Sequence, residues 1–230
     1  SAIDGPAAWD LTVGDPGIVV AVLDTGAMFD HPDLGRAEQG GKLLPGYDFV
    51  GGVGGADAVK VANDGDGRDA DAGDPGDWID AADRREALFA DCELSDSSWH
   101  GVHIAGIIGA LSNNGTGGAG IGWDTPVLPV RVLGKCFGYD SDIIAGMRWA
   151  AGLQVPGVPT NATPARVVNL SLGALEQCTA PYSSAVEELR LRNVLVVAAA
   201  GNDGVGEVTA PGNCPGVVSV TALRHVGTKV

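Results

Sequence analysis

The sequence predicts an α/β fold, a mostly parallel central β-sheet with helices on both faces, and three observations lead there. Five apolar runs rich in β-branched residues recur along the chain, each continuous and not alternating, as strands buried on both faces are. Helix-length segments stand between them, and strands that alternate with helices build parallel sheets. The 36 glycines, set against five tryptophans, three tyrosines and four phenylalanines, suit tight turns and close backbone approaches, not a helix bundle. With 230 residues, 45% of them hydrophobic, the chain has material for one sizeable core, and a single domain over 1–230 is expected.

In chain order the predicted strands are IVVAVL (18–23), PVLPVRVL (126–133), ARVVNLSL (165–172), VLVVAAA (194–200) and GVVSVTAL (216–223). The helices fall in SSWHGVHIAGIIGALS (97–112), DSDIIAGMRWAAGL (140–153) and PYSSAVEELRLRN (181–193), the first preceded by serines suited to a cap. Between the first strand and the first helix lies a Gly- and Asp-rich insertion, 51–80, which reads as too polar to pack as core. Loops of this length are usually functional or ordered by something else.

Charge narrows the function. With 29 acidic residues against 14 basic ones the net charge is −15, which repels nucleic acid and anionic membranes and favours cations. No apolar run is long enough to span a bilayer. The start SAIDGPAAWD has neither the basic residues nor the apolar stretch of a signal peptide, so a mature or trimmed chain is expected. Cys92, Cys136, Cys178 and Cys214 show no metal-binding spacing, and two disulfides in an oxidising compartment are the better reading.

Ligands and chemistry gather beyond the carboxyl ends of parallel strands. Those ends carry Asp24, the edge Ser171-Leu172-Gly173, and Gly201-Asn202-Asp203, while the helix beginning near His100 brings an imidazole to the same rim. An acid that fixes an imidazole tautomer, an imidazole that takes a proton and an amide that stabilises an oxyanion are the parts of an acyl-transfer site other than its nucleophile. A metal pair made by His100 and His103 lacks a third ligand and an accompanying carboxylate.

VVAVLDTGAMFDHPDL, HGVHIAG, VVNLSLG and VVAAAGND, in this order, resemble the subtilisin-like serine protease family over about Ala8 to Leu223. The cysteines and the Asp-rich insertion are most similar to secreted bacterial members. The resemblance implies that Asp24 is the triad acid, His100 the general base and Asn202 the oxyanion donor, with His103 packed inward on the next turn. Val102 and Ile104 depart from the family's usual residues. It further implies a nucleophilic serine in a Gly-Thr-Ser-Met-Ala type motif, which none of Ser112, Ser141, Ser171, Ser183, Ser184 or Ser219 occupies. The expectation is therefore a secreted serine endopeptidase whose C-terminal, serine-bearing part is missing here and is supplied by a companion fragment. A catalytically inactive subtilase-like module that binds peptides or a partner is the alternative.

By the same resemblance the backbones of Phe137, Gly138 and Tyr139 and of Ser171, Leu172 and Gly173 form two edges that pair with an extended substrate peptide. Gly138 and Gly173 read as clearing space for that backbone. Ala199, Ala200, Gly201 and Thr209 line the main pocket, apolar and roomy, with Asp203 on its rim to attract a basic side chain. The disulfides implied are 92–136 and 178–214, each worth roughly 3–4 kcal/mol in the chain-entropy model. Seven aspartates in 63–80 would repel one another unless neutralised, and a hard cation, calcium, suits them. The expected ligands are Asp64, Asp66, Asp69, Asp71, Asp74 and the Arg68 carbonyl, and a second, family-type calcium site would use Asp33 and Asn114.

Overall fold

The structure, a computed structural model, describes residues 3–52, 55–202, 204 and 206–223. Its strands are β1 (Val20–Asp24), β2 (Tyr47–Asp48), β3 (Val127–Arg131), β4 (Val167–Leu170), β5 (Leu195–Ala199) and β6 (Val217–Val220), and its α-helices are α1 (Gly5–Trp9), α2 (Ala56–Ala62), α3 (His100–Gly109), α4 (Asp140–Ala150) and α5 (Ala180–Leu191). The strands form one sheet in the order β2-β3-β1-β4-β5-β6, every neighbouring pair parallel. The predicted α/β architecture is what forms.

Alternation along β1 explains the two helical layers. Ala21 and Leu23 face a large core shared with Ile143, Met147 and Trp149 of α4 and Leu189 of α5. Val22, on the other face, packs with Val102 and Ala105 of α3. β1 therefore lies between β3 and β4 and is covered on both sides, and the chain leaves it toward β3 first and toward β4 later. The crevice such a reversal opens lies beyond the strands' carboxyl ends, where Asp24 stands.

Two expectations about packing change. The insertion is not excluded from the core: ADAVKVA forms α2, whose Ala58, Val61 and Ala62 fall at helical spacing on one face and are buried. Val61 and Ala62 join Val50, Ile79, Phe89 and Cys92 in a third cluster. Conversely β6, predicted as a strand buried on both faces, has Val218 and Val220 46% and 52% exposed, because it lies at the margin of the sheet. No helix among the described residues is long and apolar enough to cross a membrane.

The insertion is bound to the sheet by a buried cation. Arg131, at the end of β3 and 1% exposed, holds the carboxylates of Asp48 and Asp64 and the carbonyl of Ala62 with its terminal nitrogens. Its Nε donates to the Thr25 carbonyl at 3.2 Å. A buried guanidinium needs such partners, and this one finds them before the insertion, at Thr25 and Asp48, and within it, at Ala62 and Asp64. Both expected disulfides form, Cys92–Cys136 and Cys178–Cys214, with Cα atoms 6.0 and 5.0 Å apart.

Candidate active site

Asp24 ends β1 fully buried, and burial obliges its carboxylate to find donors. It accepts from the Thr25 backbone N–H at 2.8 Å and lies 2.8 and 2.9 Å from Nδ1 of His100 through its two oxygens. The hydrogen bond to Asp24 raises the His100 pKa above the ordinary 6.5, against a partial burial that lowers it, and the charges of Asp24 and Asp77 add to the rise. The α3 entrance makes the pairing sterically attainable. A Cβ at Gly101 would stand 2.3 Å from the Gly26 carbonyl oxygen and 3.1 Å from the Asp24 Cβ, so glycine alone lets the helix start this close to β1.

His103 does not pack inward. α3 buries Gly101, Val102, Ala105 and Gly109, and position 103 falls on the opposite side of that stripe, where His103 is exposed. Two residues at i and i+3 share a flank of a helix, but here the core-facing stripe lies beside that flank.

His100 opens onto a cleft of about 600 Å³. Phe137, Gly138, Ser171, Leu172 and Gly173 line it as expected, while Tyr139 sits behind, edge-on to Phe137. The two glycines are required by the protein's own packing: a Cβ at Gly138 would lie 2.5 Å from the Val132 carbonyl oxygen, and one at Gly173 2.4 Å from the Thr209 hydroxyl. Ala199, Ala200, Gly201, Thr209 and Asn202 do not line this cleft. Thr209 is buried, its N–H bonded to the Ala200 carbonyl and its hydroxyl without a partner among the described residues. Asn202 lies in an exposed turn three residues beyond β5, at the rim where β4 and β5 end in register. Asp203 lies outside the described residues. Sequence reasoning missed the cleft's electrostatics: Asp77, Glu93, Asp140 and Glu176 line it, and among the described residues no lysine or arginine does.

The acidic loop forms a separate cavity of about 330 Å³ lined by Asp64, Asp66, Asp69, Asp71 and Asp74. The donors are of the hard-oxygen type calcium takes, yet among the described residues no three His, Cys, Asp or Glu side chains are grouped closely enough to hold a metal. The carboxylates fold over their own backbone instead: Asp64, Asp69, Asp71 and Asp74 each accept an N–H from two residues on. Arg68, expected to offer its carbonyl, is not among the residues lining the cavity, and its side chain runs inward to Asp142 at 2.6 Å and to the Phe49 carbonyl. Asp33 and Asn114 satisfy one another. The buried Asp33 accepts from the Asn114 amide at 2.7 Å and from the Gly118 N–H at 3.0 Å.

Comparison with known proteins fits this geometry. Residues 15–229 match the profile of the subtilase family. The chain belongs to the subtilase family. An extracellular basic protease of Dichelobacter nodosus is 43% identical over 96% of the chain, and an extracellular protease of Xanthomonas campestris pv. campestris is likewise 43% identical over 96%. The chain spans 35% and 36% of the length of these two relatives. A solved structure described as proteases from Pseudoalteromonas arctica PAMC 21717 superposes with a TM-score of 0.83 at 45% identity, covering 96% of this chain and 60% of that one.

In this subtilase chain Gly101→Ala should force α3 away from β1. We expect a loss of roughly 1–3 kcal/mol in denaturant unfolding, the usual range for overpacking, together with a His100 titration that falls toward 6.5 as the ring leaves Asp24.

Proposed function

We propose that the protein carrying this chain is a secreted serine endopeptidase. One observation carries the reading: a fully buried carboxylate grips Nδ1 of an imidazole that lines a peptide-sized cleft. Asp24 keeps the proton of neutral His100 on Nδ1 and stabilises the imidazolium, so Nε2 is left to take the proton of a nucleophile. Asn202, at the rim, would donate to the developing oxyanion. The edges at 137–139 and 171–173 hold the substrate extended, and the cleft's carboxylates favour peptides with basic side chains.

The nucleophilic serine in this reading belongs to polypeptide outside these 230 residues, continuous with them or a companion piece. Among the described residues no serine hydroxyl bonds the His100 ring; Ser95, Ser98 and Ser171 line the cleft, and of these Ser98 donates to Asp77 and Ser171 accepts from Asn169. Membership of the family, two relatives named as extracellular proteases and two disulfides support both hydrolysis and secretion.

The test is fluorophosphonate labelling of the full-length protein, with mass measurement under denaturing, reducing conditions to find which piece carries the label. We expect labelling and peptide hydrolysis, both lost in His100→Ala, and turnover lowered roughly 10²–10³-fold in Asn202→Ala, the size known for an oxyanion amide in a member of this family. Because the His100 pKa is raised and the base acts when neutral, kcat/KM should fall as pH drops through a value above 6.5. A full-length protein that neither labels nor cleaves would be the peptide-binding module instead.

We also propose that Asp64, Asp66, Asp69 and Asp71 take up calcium, their side chains drawing in from the cavity rim to do so. Five carboxylates around one cavity, in a chain of net charge −15, support this. Calcium at 100 times its Kd should stabilise the protein by about 2.7 kcal/mol, seen as a higher Tm that a chelator removes and that Asp66→Ala and Asp71→Ala lack. A Tm indifferent to calcium would refute the site.

A further inference from the structure

Thr25 makes four polar contacts while only 4% exposed. Its N–H donates to Asp24 and its carbonyl accepts from Arg131. Its hydroxyl accepts from the Gly101 N–H at 3.0 Å and donates its single proton to Oδ2 of Asp74 at 2.6 Å.

The Gly101 N–H belongs to the first turn of α3, where backbone donors have no intrahelical partner. The residue that precedes the helix, Trp99, has a left-handed φ of 50° and supplies no side-chain cap. The Ser98 hydroxyl accepts the His100 N–H at 3.3 Å, and the Gly101 N–H is capped by Thr25, in the segment that follows β1. A hydroxyl has one proton and two lone pairs, so committing the proton to Asp74 leaves the lone pairs for Gly101. Asp74 is itself held in place: its N–H donates to the Ala27 carbonyl at 3.0 Å, the Ala27 N–H donates to the Ala72 carbonyl at 3.0 Å, and its Oδ1 accepts from Gly76 at 2.9 Å. Gly101 is the neighbour of His100, so whatever seats Gly101 against Thr25 also sets how closely the imidazole meets Asp24.

We propose that Thr25 and Asp74 are positioning residues for the proposed base: Asp74 orients the Thr25 hydroxyl, which caps α3 at Gly101 and holds the His100 ring on Asp24. Asp74, with Oδ1 on the Gly76 N–H and Oδ2 on the Thr25 hydroxyl, is thus an anchor of the site. The acidic insertion thereby contributes directly to the geometry of the acid and base. This rests on reading His100 as the base of a hydrolase, and it makes the insertion part of the catalytic framework.

The experiment compares Thr25→Val, Asp74→Asn and Thr25→Ser in the full-length protein by kcat, KM and NMR titration of the His100 imidazole. In Asp74→Asn the amide NH₂ either meets the Gly76 N–H, donor against donor, or meets Thr25, whose hydroxyl must then turn to accept it and loses the partner for its own proton; Thr25→Val leaves every loop carboxylate in place. We expect kcat to fall up to about 10²-fold in Thr25→Val and Asp74→Asn, the scale of an ångström-sized misplacement, with KM little changed. The His100 titration should move down toward 6.5 in both, and Thr25→Ser should restore kcat and titration. Asp24 and Asp77 act on the ring, and Glu93, Asp140 and Glu176 line the same cleft; all five are retained in these variants. Wild-type kcat and titration in both variants, whatever their Tm, would overturn the proposal. Should Thr25→Val fail to fold, Asp74→Ala, which offers the Thr25 hydroxyl no partner, decides. A wild-type protein that hydrolyses nothing would overturn the proposed function alone, because the titration still reports where the ring sits.

Discussion

The contact between a carboxylate with no access to water and an imidazole on a cleft wall is what the rest of the structure is arranged to permit. An ionised Asp24 at the end of β1 is tolerable only with donors at hand, and the fold supplies the Thr25 N–H from its own chain and the His100 ring from a segment 76 residues away. Bringing that segment in requires helix α3 to touch β1 at its first turn, which Gly101 allows and the Thr25 hydroxyl fastens. The parallel sheet contributes the rest, since its strand order opens the crevice at the end of β1.

A second layer of polar contacts ties the Gly- and Asp-rich insertion to the same place. Arg131 links Asp48, Asp64 and Ala62 to the Thr25 carbonyl, and Asp74 reaches the Thr25 hydroxyl from the other side of the insertion. Arg68 adds a second inward anchor through Asp142. The Cys92–Cys136 disulfide then joins the far end of this region to the edge of the cleft, where Cys136 is itself part of the wall. An excess of negative charge that would spread a loop in water is thus partly absorbed by buried guanidinium groups and local N–H donors.

Much of this was legible in the sequence, for reasons that are local. Continuous apolar runs mark strands buried on both faces, and the polar residues closing them, Asp24 and Ser171 among them, fall at the rim because parallel strands all end on one side. The disulfide partners and the pairing of Asp24 with His100 followed from the resemblance. What could not be read depended on three-dimensional packing. Polar flanks hid the apolar stripe of α2, and His103 was assigned inward because spacing alone does not say which flank of α3 meets the sheet. Gly138 and Gly173 also answer to the protein's own packing, which the sequence does not show. Arg131 and Thr25 left a faint trace, a lone cation inside a strand and a hydroxyl beside the acid, whose meaning appears only when the insertion folds over them.

The tautomer of neutral His100 tests the account most directly. Long-range ¹H–¹⁵N NMR of the full-length protein, recorded above the raised pKa of that residue, should show Nδ1 protonated and Nε2 bare, with the Nδ1 proton strongly deshielded by Asp24. A ring protonated on Nε2, or one free to exchange between tautomers as an isolated imidazole does, would contradict it.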